Sequence, residues 1–192
     1  ITSDATSVDV QTPETDYLFK LSVPGRHFAM NAVAVLAAAQ ALGADPVAAA
    51  LDIAKWIPPA GRGTREVLVL DDGLEHGTLD LIDDAFNANP TSLAASLEVL
   101  AATKPVDGVG QVHKGRRIAV LGDMLELGAD EVELHQNLHM NVDLQALDVV
   151  HCSGPLMENL WAALPEEQRG LCCHTADELA AQVHDMIDAG DV

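Results

Sequence analysis

Two aspartates and two asparagines fall within one short stretch, Leu81-Ile-Asp-Asp-Ala-Phe-Asn-Ala-Asn-Pro90. A carboxylate can accept both hydrogen bonds of a ribose diol, and an asparagine amide donates and accepts at once. The apolar residues before Asp83 read as the end of a buried strand, and Pro90 can open a helix. Open parallel α/β sheets bind ligands off the carboxyl ends of their strands, where such a turn stands. Asp83 and Asp84 are adjacent on extended backbone and point to opposite sides, so one faces the crevice while the other caps or pairs locally. The helix after Pro90 is expected to aim free backbone amides at the same place, favouring a carboxylate or a phosphate. The same residue types are also ordinary turn and N-cap residues, and spacing alone does not choose between the two readings.

Leu121-Gly-Asp-Met-Leu-Glu-Leu-Gly128 repeats the logic at a later strand. Its glycine allows close approach of backbone to a ligand, and Asp123 can orient an amine or a cation; equally, Asp123 and Glu126 can decorate a turn before a helix. Arg62 sits between Gly61 and Gly63, from which a guanidinium could reach a phosphate. His135 and His139 are spaced i, i+4, but no glutamate follows His135 and no third ligand is evident. They read as an exposed helical face rather than a zinc site. Neither G-x-G-x-x-G nor G-x-x-x-x-G-K-[ST] occurs; the lysines, Lys20, Lys55, Lys104 and Lys114, lie in no phosphate-loop context. Cys152, Cys172 and Cys173 lack paired metal spacing and read as free thiols in a reducing cytoplasm, Cys172 and Cys173 in a buried strand.

The elements that must position these groups follow from periodicity. Alternation from Thr6 to Val23 around a polar turn at Thr12 to Asp16 predicts a hairpin of two strands. Helical spacing runs from Phe28 to Leu42 and stops at Gly43; Asp45-Pro46 starts a second helix ending near Trp56. Pro58, Pro59, Gly61 and Gly63 punctuate Ile57 to Gly63, which marks a domain boundary and hinge. Beyond it, strands at Glu66 to Leu70, Thr78 to Asp83, Arg117 to Leu121, Asp148 to Cys152 and Leu171 to His174 are expected. Helices are expected at Pro90 to Ala102, Asp130 to Leu144, Pro155 to Leu164 and Ala176 to Ala189. That alternation predicts an α/β fold with a parallel sheet. Lys104 to Lys114 reads as a mobile loop, and Thr175-Ala-Asp-Glu178 as a capping box. Gly190-Asp-Val stands where a further strand is due, so the sheet is expected to be truncated at its last strands.

Composition narrows the partners. Thirty acidic residues against ten basic ones give a formal charge of -20, which repels a phosphate backbone and an anionic bilayer. No nucleic acid partner and no membrane insertion are expected: the longest uncharged run, Phe28 to Ala44, falls short of the roughly 20 apolar residues of a span. Ile1-Thr-Ser-Asp4 shows no basic region before an apolar core, so no secretory signal is expected in the chain, which reads as a fragment. With 48% hydrophobic but only 3% aromatic residues, alanine, leucine and valine must fill the core.

Four segments taken together resemble the Mur ligases: Pro24-Gly-Arg-His-Phe-Ala-Met-Asn31, Gly61-Arg-Gly63, Leu81 to Pro90, and Leu121 to Gly128 followed by His135. Their order is similar to the branch that joins D-Ala-D-Ala to a UDP-MurNAc-tripeptide. The resemblance implies that residues 1–60 are the tail of a central ATP-binding domain and residues 61–192 a C-terminal Rossmann-like ligase domain. It implies ATP and Mg2+ as cofactors, with the Mg2+ ligands mostly outside this chain, and UDP-MurNAc-tripeptide and D-Ala-D-Ala as partners of a cytoplasmic monomer. By the same resemblance Asn31 contacts adenine, Arg62 the ATP phosphates and Asp84 the ribose. Asn87, Asn89 and Asp123 line the crevice where the dipeptide amine meets an acyl phosphate. Phe28 stands where many relatives carry asparagine, and Ala85-Phe86 where Ser-Tyr is common. Without a phosphate-loop lysine or a magnesium-ligating segment, the chain alone is expected not to turn over. A non-catalytic Rossmann-like binding module is the alternative.

Overall fold

Residues 5–12, 16–71 and 76–192 are described in the computed structural model. Contacts divide the chain into two units, Ile1–Pro59 and Ala60–Val192. In the first, β1 (Thr6–Val10) pairs antiparallel with β2 (Tyr17–Leu21), Val8 opposite Phe19. The strict alternation of β1 buries Thr6, Val8 and Val10 and exposes Ser7 and Asp9, as one-sided strands require. Residues 13–15, most of the anticipated turn, lie outside the described residues.

The strands pack on α1 (Arg26–Ala41) and α2 (Pro46–Ile53), burying Phe19, Leu21, Val23, Ala32, Leu36 and Ala50 in one cluster. The Thr6 hydroxyl donates to the Val23 carbonyl at 3.0 Å and accepts the Gly25 amide at 3.1 Å, tying the hairpin to the start of α1. Asp45 caps α2 by accepting the Val47 amide at 2.8 Å and the Ala48 amide at 3.2 Å, with Pro46 in the first turn. This helix stops at Ile53, short of Trp56.

The second unit opens with β3 (Thr64–Asp71) and β4 (His76–Asp83), paired antiparallel from Thr64 opposite Asp83. Their orientation corrects the expectation that these two runs join as parallel strands. A parallel crossover takes a dozen or more residues, and only residues 72–75 separate them. After α3 (Pro90–Ala102) comes β5 (Ile118–Gly122), which pairs parallel with β6 (Val149–Ser153). That strand pairs parallel with β7 (Arg169–Cys173), giving the three-stranded parallel sheet of a mixed α/β fold.

Residues 190–192 link the two sheets. The Gly190 amide donates to Thr78 and the Asp80 amide to the Asp191 carbonyl, at 2.8 and 3.0 Å. Val192 donates to Arg116 and accepts from Ile118, at 2.9 and 2.8 Å. Donor and acceptor numbers rise together on both sides, so the tail runs parallel to β4 and to β5. The position where a further strand was due is thus filled by the tail itself. Arg116 bonds Asp191 through Nη2 at 2.6 Å and through Nε at 3.2 Å, and its backbone amide donates to the same carboxylate at 2.8 Å. The 104–114 loop, expected to be mobile, is fastened to this tail: Val106 N–H donates to the Gly190 carbonyl at 2.9 Å and Val112 N–H to Asp188 at 2.5 Å.

The helix expected over residues 130–144 is divided into α4 (Glu131–Asn137), a 3-10 turn at Leu138–Met140 and α5 (Val142–Gln145). Asn141 causes the break, accepting the Asp143 and Leu144 amides as a new N-cap. Then come α6 (Met157–Ala163), α7 (Ala176–Ala180) and α8 (Val183–Met186). The last two were expected as one helix. The Gln182 side chain takes the Glu178 carbonyl at 3.1 Å while the Gln182 amide turns to Leu179 at 3.0 Å, ending the α-helical ladder. The capping box at Thr175 and Glu178 is present.

Leu97, Met124, Leu144, Val150, Met157, Leu160 and Leu164 are all nearly fully buried in the core of this unit. Each of the larger side chains contributes roughly 2 kcal/mol by burial as an upper estimate. Cys152 belongs to this core, whereas Cys172 and Cys173 are only half-buried, correcting the expectation of a buried strand there.

Candidate functional site

Because β4, the tail and β5 run parallel, Asp83-Asp84 and Gly122-Asp123 leave the sheet at the same edge, the one where α/β proteins bind ligands. Gly61-Arg62-Gly63 is laid beside the first of these turns. Gly63 N–H donates to the Asp83 carbonyl at 2.8 Å and Phe86 N–H to the Gly61 carbonyl at 3.0 Å, extending the β3–β4 pairing into the loop. Gly61 has φ 72, the left-handed region that favours glycine, and a Cβ there would make a tight 3.2 Å approach to that of Phe86. The Arg62 guanidinium stacks 4.1 Å from the centroid of the Phe86 ring. Stacking uses the face of the guanidinium and leaves its N–H edge for an anion.

The two aspartates divide as anticipated in one respect. Asp83 accepts the Ala85 amide at 3.1 Å, a local turn bond. Half-buried Asp84 accepts the hydroxyl of Ser96, in the second turn of α3, whose single proton also has the Ser92 carbonyl within reach at 3.1 Å. Asn87 is exposed. Asn89 is the N-cap of α3: its Oδ1 accepts the Thr91 and Ser92 amides, both at 3.0 Å, and Ser92 Oγ returns the bond to the Asn89 amide. Leu93 N–H bonds the Asn89 carbonyl at 2.9 Å and Pro90 has no N–H. This corrects the expectation that α3 offers free amides to an anion: Asn89 closes its first turn.

Asp123 is likewise committed. Its carboxylate accepts the Met157 amide at 2.8 Å and the Leu156 amide at 3.2 Å, capping α6, and a Cβ on Gly154 would strike it at 2.4 Å. His135 is fully buried, not on an exposed face; its Nε2 accepts the Met124 amide at 2.9 Å and its Nδ1 meets the Glu131 carbonyl at 2.6 Å. The i, i+4 spacing that placed it beside His139 says nothing about which side of α4 faces the core. His151, 5% exposed, accepts the Leu171 amide on Nδ1 at 2.9 Å; burial and the nearby Arg116 charge lower its pKa. Burial, with Cys172 and Asp123 nearby, pushes the Cys152 thiol up to about 12, which suits an inert core cysteine.

The structure therefore brings Arg62, Asp84, Asn87 and Asn89 together on one pair of adjoining loops, with Asp123 at the same sheet edge. Asn31 is exposed on α1, in the first unit. Phe86 and Ser96 were not identified from sequence. Ser96, four residues after Ser92 on one helical face, was the available signal for the second. A cleft of about 350 Å³ on α4 and α6, lined by Gln136, Pro155, Glu158, Asn159, Ala162 and Ala163, contains none of the anticipated residues. Among the described residues no group of three or more His, Cys, Asp or Glu side chains is placed to hold a metal ion. Nor is any described helix long and apolar enough to cross a membrane.

The family described as Mur ligase, glutamate ligase domain, matches residues 70–192. The UDP-N-acetylmuramoyl-tripeptide--D-alanyl-D-alanine ligase of Mycobacterium tuberculosis (strain CDC 1551 / Oshkosh) is 36% identical over 176 residues, 86% of this chain and 32% of that protein. The Escherichia coli (strain K12) enzyme of the same name is 35% identical over 137 residues, 70% of this chain and 26% of its own length. This chain thus spans about a third of the curated relatives it matches. In fold it is similar to MurF from Acinetobacter baumannii, with a TM-score of 0.73 at 21% identity over 99% of this chain and 38% of that one. It is similar also to MurF ligase from Thermotoga maritima in complex with ADP, at 0.71 and 24% over 98% and 39%. A domain match across most of the second unit, joined to long alignments with ligases of one name, makes this chain a member of the Mur ligase family.

Proposed function

We propose that the protein containing this chain is an ATP-dependent ligase that adds D-alanyl-D-alanine to UDP-MurNAc-tripeptide in peptidoglycan synthesis. The observation that carries the reading is the shared name of relatives aligned over as much as 86% of this chain. Residues 1–60 are the tail of the ATP-binding domain and residues 61–192 the ligase domain, a reading supported by the division of contacts at Pro59 and Ala60.

The donor set fits a nucleotide. Arg62, stacked on Phe86 and otherwise exposed, offers its N–H edge to phosphate oxygens. Asp84, oriented by the Ser96 hydroxyl, has a second oxygen for a ribose hydroxyl, and Asn31 contacts adenine. When bound, ATP supplies the phosphoryl group that activates the tripeptide carboxylate. The chain's own contribution is to hold the nucleotide and orient the incoming amine, catalysis by positioning rather than by a protein nucleophile. Asn87 is exposed to meet the dipeptide. Asn89 and Asp123 line the same crevice and shape it by capping α3 and α6, Asn89 keeping its NH2 for substrate. The Mg2+ that accompanies ATP takes its ligands mostly from outside this chain. A monomer in the cytoplasm, with no nucleic acid partner, accords with three free thiols and a charge of -20.

The test is phosphate release by the full-length protein. Release is expected only with ATP, UDP-MurNAc-tripeptide and D-Ala-D-Ala together; release indifferent to the dipeptide would sink the reading. In the same protein Asp84→Ala is expected to weaken ATP binding without loss of fold, and unchanged affinity would remove Asp84 from the ribose site.

A further inference from the structure

Asp123 and Met124 are consecutive residues where β5 gives way to loop, and each is tied to a different helix. The Asp123 carboxylate takes the amides of Leu156 and Met157 at the start of α6. Met124 donates its amide to Nε2 of His135, on α4, at 2.9 Å. A backbone N–H can only donate, so Nε2 is the unprotonated acceptor; the ring proton is on Nδ1 and is given to the Glu131 carbonyl at 2.6 Å. The imidazole is fully buried with both nitrogens engaged, and the Met124 side chain beside it is 1% exposed. Both ends of this tie are therefore rigid.

Past the tie the chain turns outward. Leu125 is 70% exposed, and Glu126 is exposed with φ 63, the one described residue other than glycine held at positive φ. Such a conformation is costly for a side chain with a Cβ and persists only where the surroundings impose it. The tip itself is in solvent, and the turn is held on either side of it, by the Met124 amide bond before Glu126 and by Leu127, packed on the core, after it. Each Asp123 oxygen already takes an amide and the residue is only partly exposed, whereas Glu126 stands exposed at the tip, the carboxylate of this turn most open to an ammonium group.

We propose that His135 is a positioning residue for the ligase reaction: by accepting the Met124 amide it sets the direction in which Leu125 and Glu126 leave the sheet. Those two residues meet the incoming D-alanyl-D-alanine, Glu126 at its ammonium and Leu125 at its methyl groups. The inference rests on the reading above that this loop borders the dipeptide's crevice. It goes further by moving the substrate contact from Asp123 to Glu126, and by naming a residue that never touches substrate.

Two kinds of measurement separate the latch from the ligase reading. On this chain, amide hydrogen exchange is followed for His135→Leu, which fills the space but accepts nothing, and for His135→Gln, which restores an acceptor. Exchange at Met124 is expected to quicken about tenfold in the first, with β6 unchanged, and to return toward the parent rate in the second. Unchanged exchange at Met124 in a folded His135→Leu chain overturns the latch. In the full-length protein, His135→Leu and Glu126→Gln are each expected to raise KM for D-Ala-D-Ala about tenfold, leave KM for ATP in place, and show rescue by His135→Gln for the first. Glu126→Gln keeps shape and alters an exposed side chain only, so it decides the matter even if His135→Leu fails to fold; an unmoved dipeptide KM overturns the proposed contact. If the full-length protein ignores the dipeptide altogether, the ligase reading and the contact fall together, while exchange at Met124 still judges the latch.

Discussion

The guanidinium of Arg62 rests 4.1 Å from the centroid of the Phe86 ring, across two loops joined by the bond from the Phe86 amide to the Gly61 carbonyl. The ring, itself 66% exposed, gains little by burial and serves chiefly to hold the cation. Phe86→Ala in the full-length protein is therefore expected to weaken binding of a non-hydrolysable ATP analogue about threefold, and Arg62→Ala about tenfold or more. Calorimetric titration measures both, and equal affinities across all three proteins would take Arg62 out of the phosphate site.

Asp191 is 3% exposed and receives four donors: Nη2, Nε and the backbone amide of Arg116, and the amide of Asp188. Removing the carboxylate strands the guanidinium and releases residues 190–192 from between β4 and β5. Asp191→Ala is expected to cost about 3 kcal/mol in a urea titration of this chain. The Lys114–Asp148 pair, similarly short at 2.7 Å, has its lysine 73% exposed, and Lys114→Ala is expected to cost about 0.5 kcal/mol or less. Equal losses from the two substitutions would contradict this division.

His151 gives the fold a pH dependence. Its pKa in the folded chain is lowered, first by burial and then by Arg116, so the unfolded chain binds the proton more readily. The unfolded state thus carries more protons as pH falls below about 6.5, and stability drops toward the depressed folded value and levels off beneath it. The melting temperature of this chain is expected to fall between pH 7.5 and pH 5.5. His151→Gln, whose amide oxygen can still accept the Leu171 amide, is expected to flatten that slope relative to the parent; an identical slope would assign it to other groups.

Local patterns were legible where they depend on neighbours in sequence. The span Pro90–Ala102 was readable from its proline start and its apolar spacing, and the strands around Val120 and Val150 from apolar runs between turn residues. The hairpin of β3 and β4 was readable too, from Asp72-Gly73 between apolar runs, a pair typical of tight turns. Alternation with helices elsewhere drew the reading toward a parallel pair. The site segments were recognisable as types and spacings, and four in order marked the family. What each polar group touches was not legible: Asn89 and Asp123 have the composition of ligand contacts, yet both spend their oxygens on helix amides.

By itself, then, the sequence determined the class of fold, most element positions and the residue types gathered from Leu81 to Pro90. Those properties follow from periodicity, turn chemistry and residue type, which act over a few residues. Only the tertiary structure decided that residues 190–192 lie between β4 and β5, that Ser96 orients Asp84, and that His135 is buried with Met124 as its partner. Each of these joins groups from separate elements. A donor and an acceptor distant in sequence are chosen by packing, because burial makes an unpaired polar group costly and leaves few partners within reach.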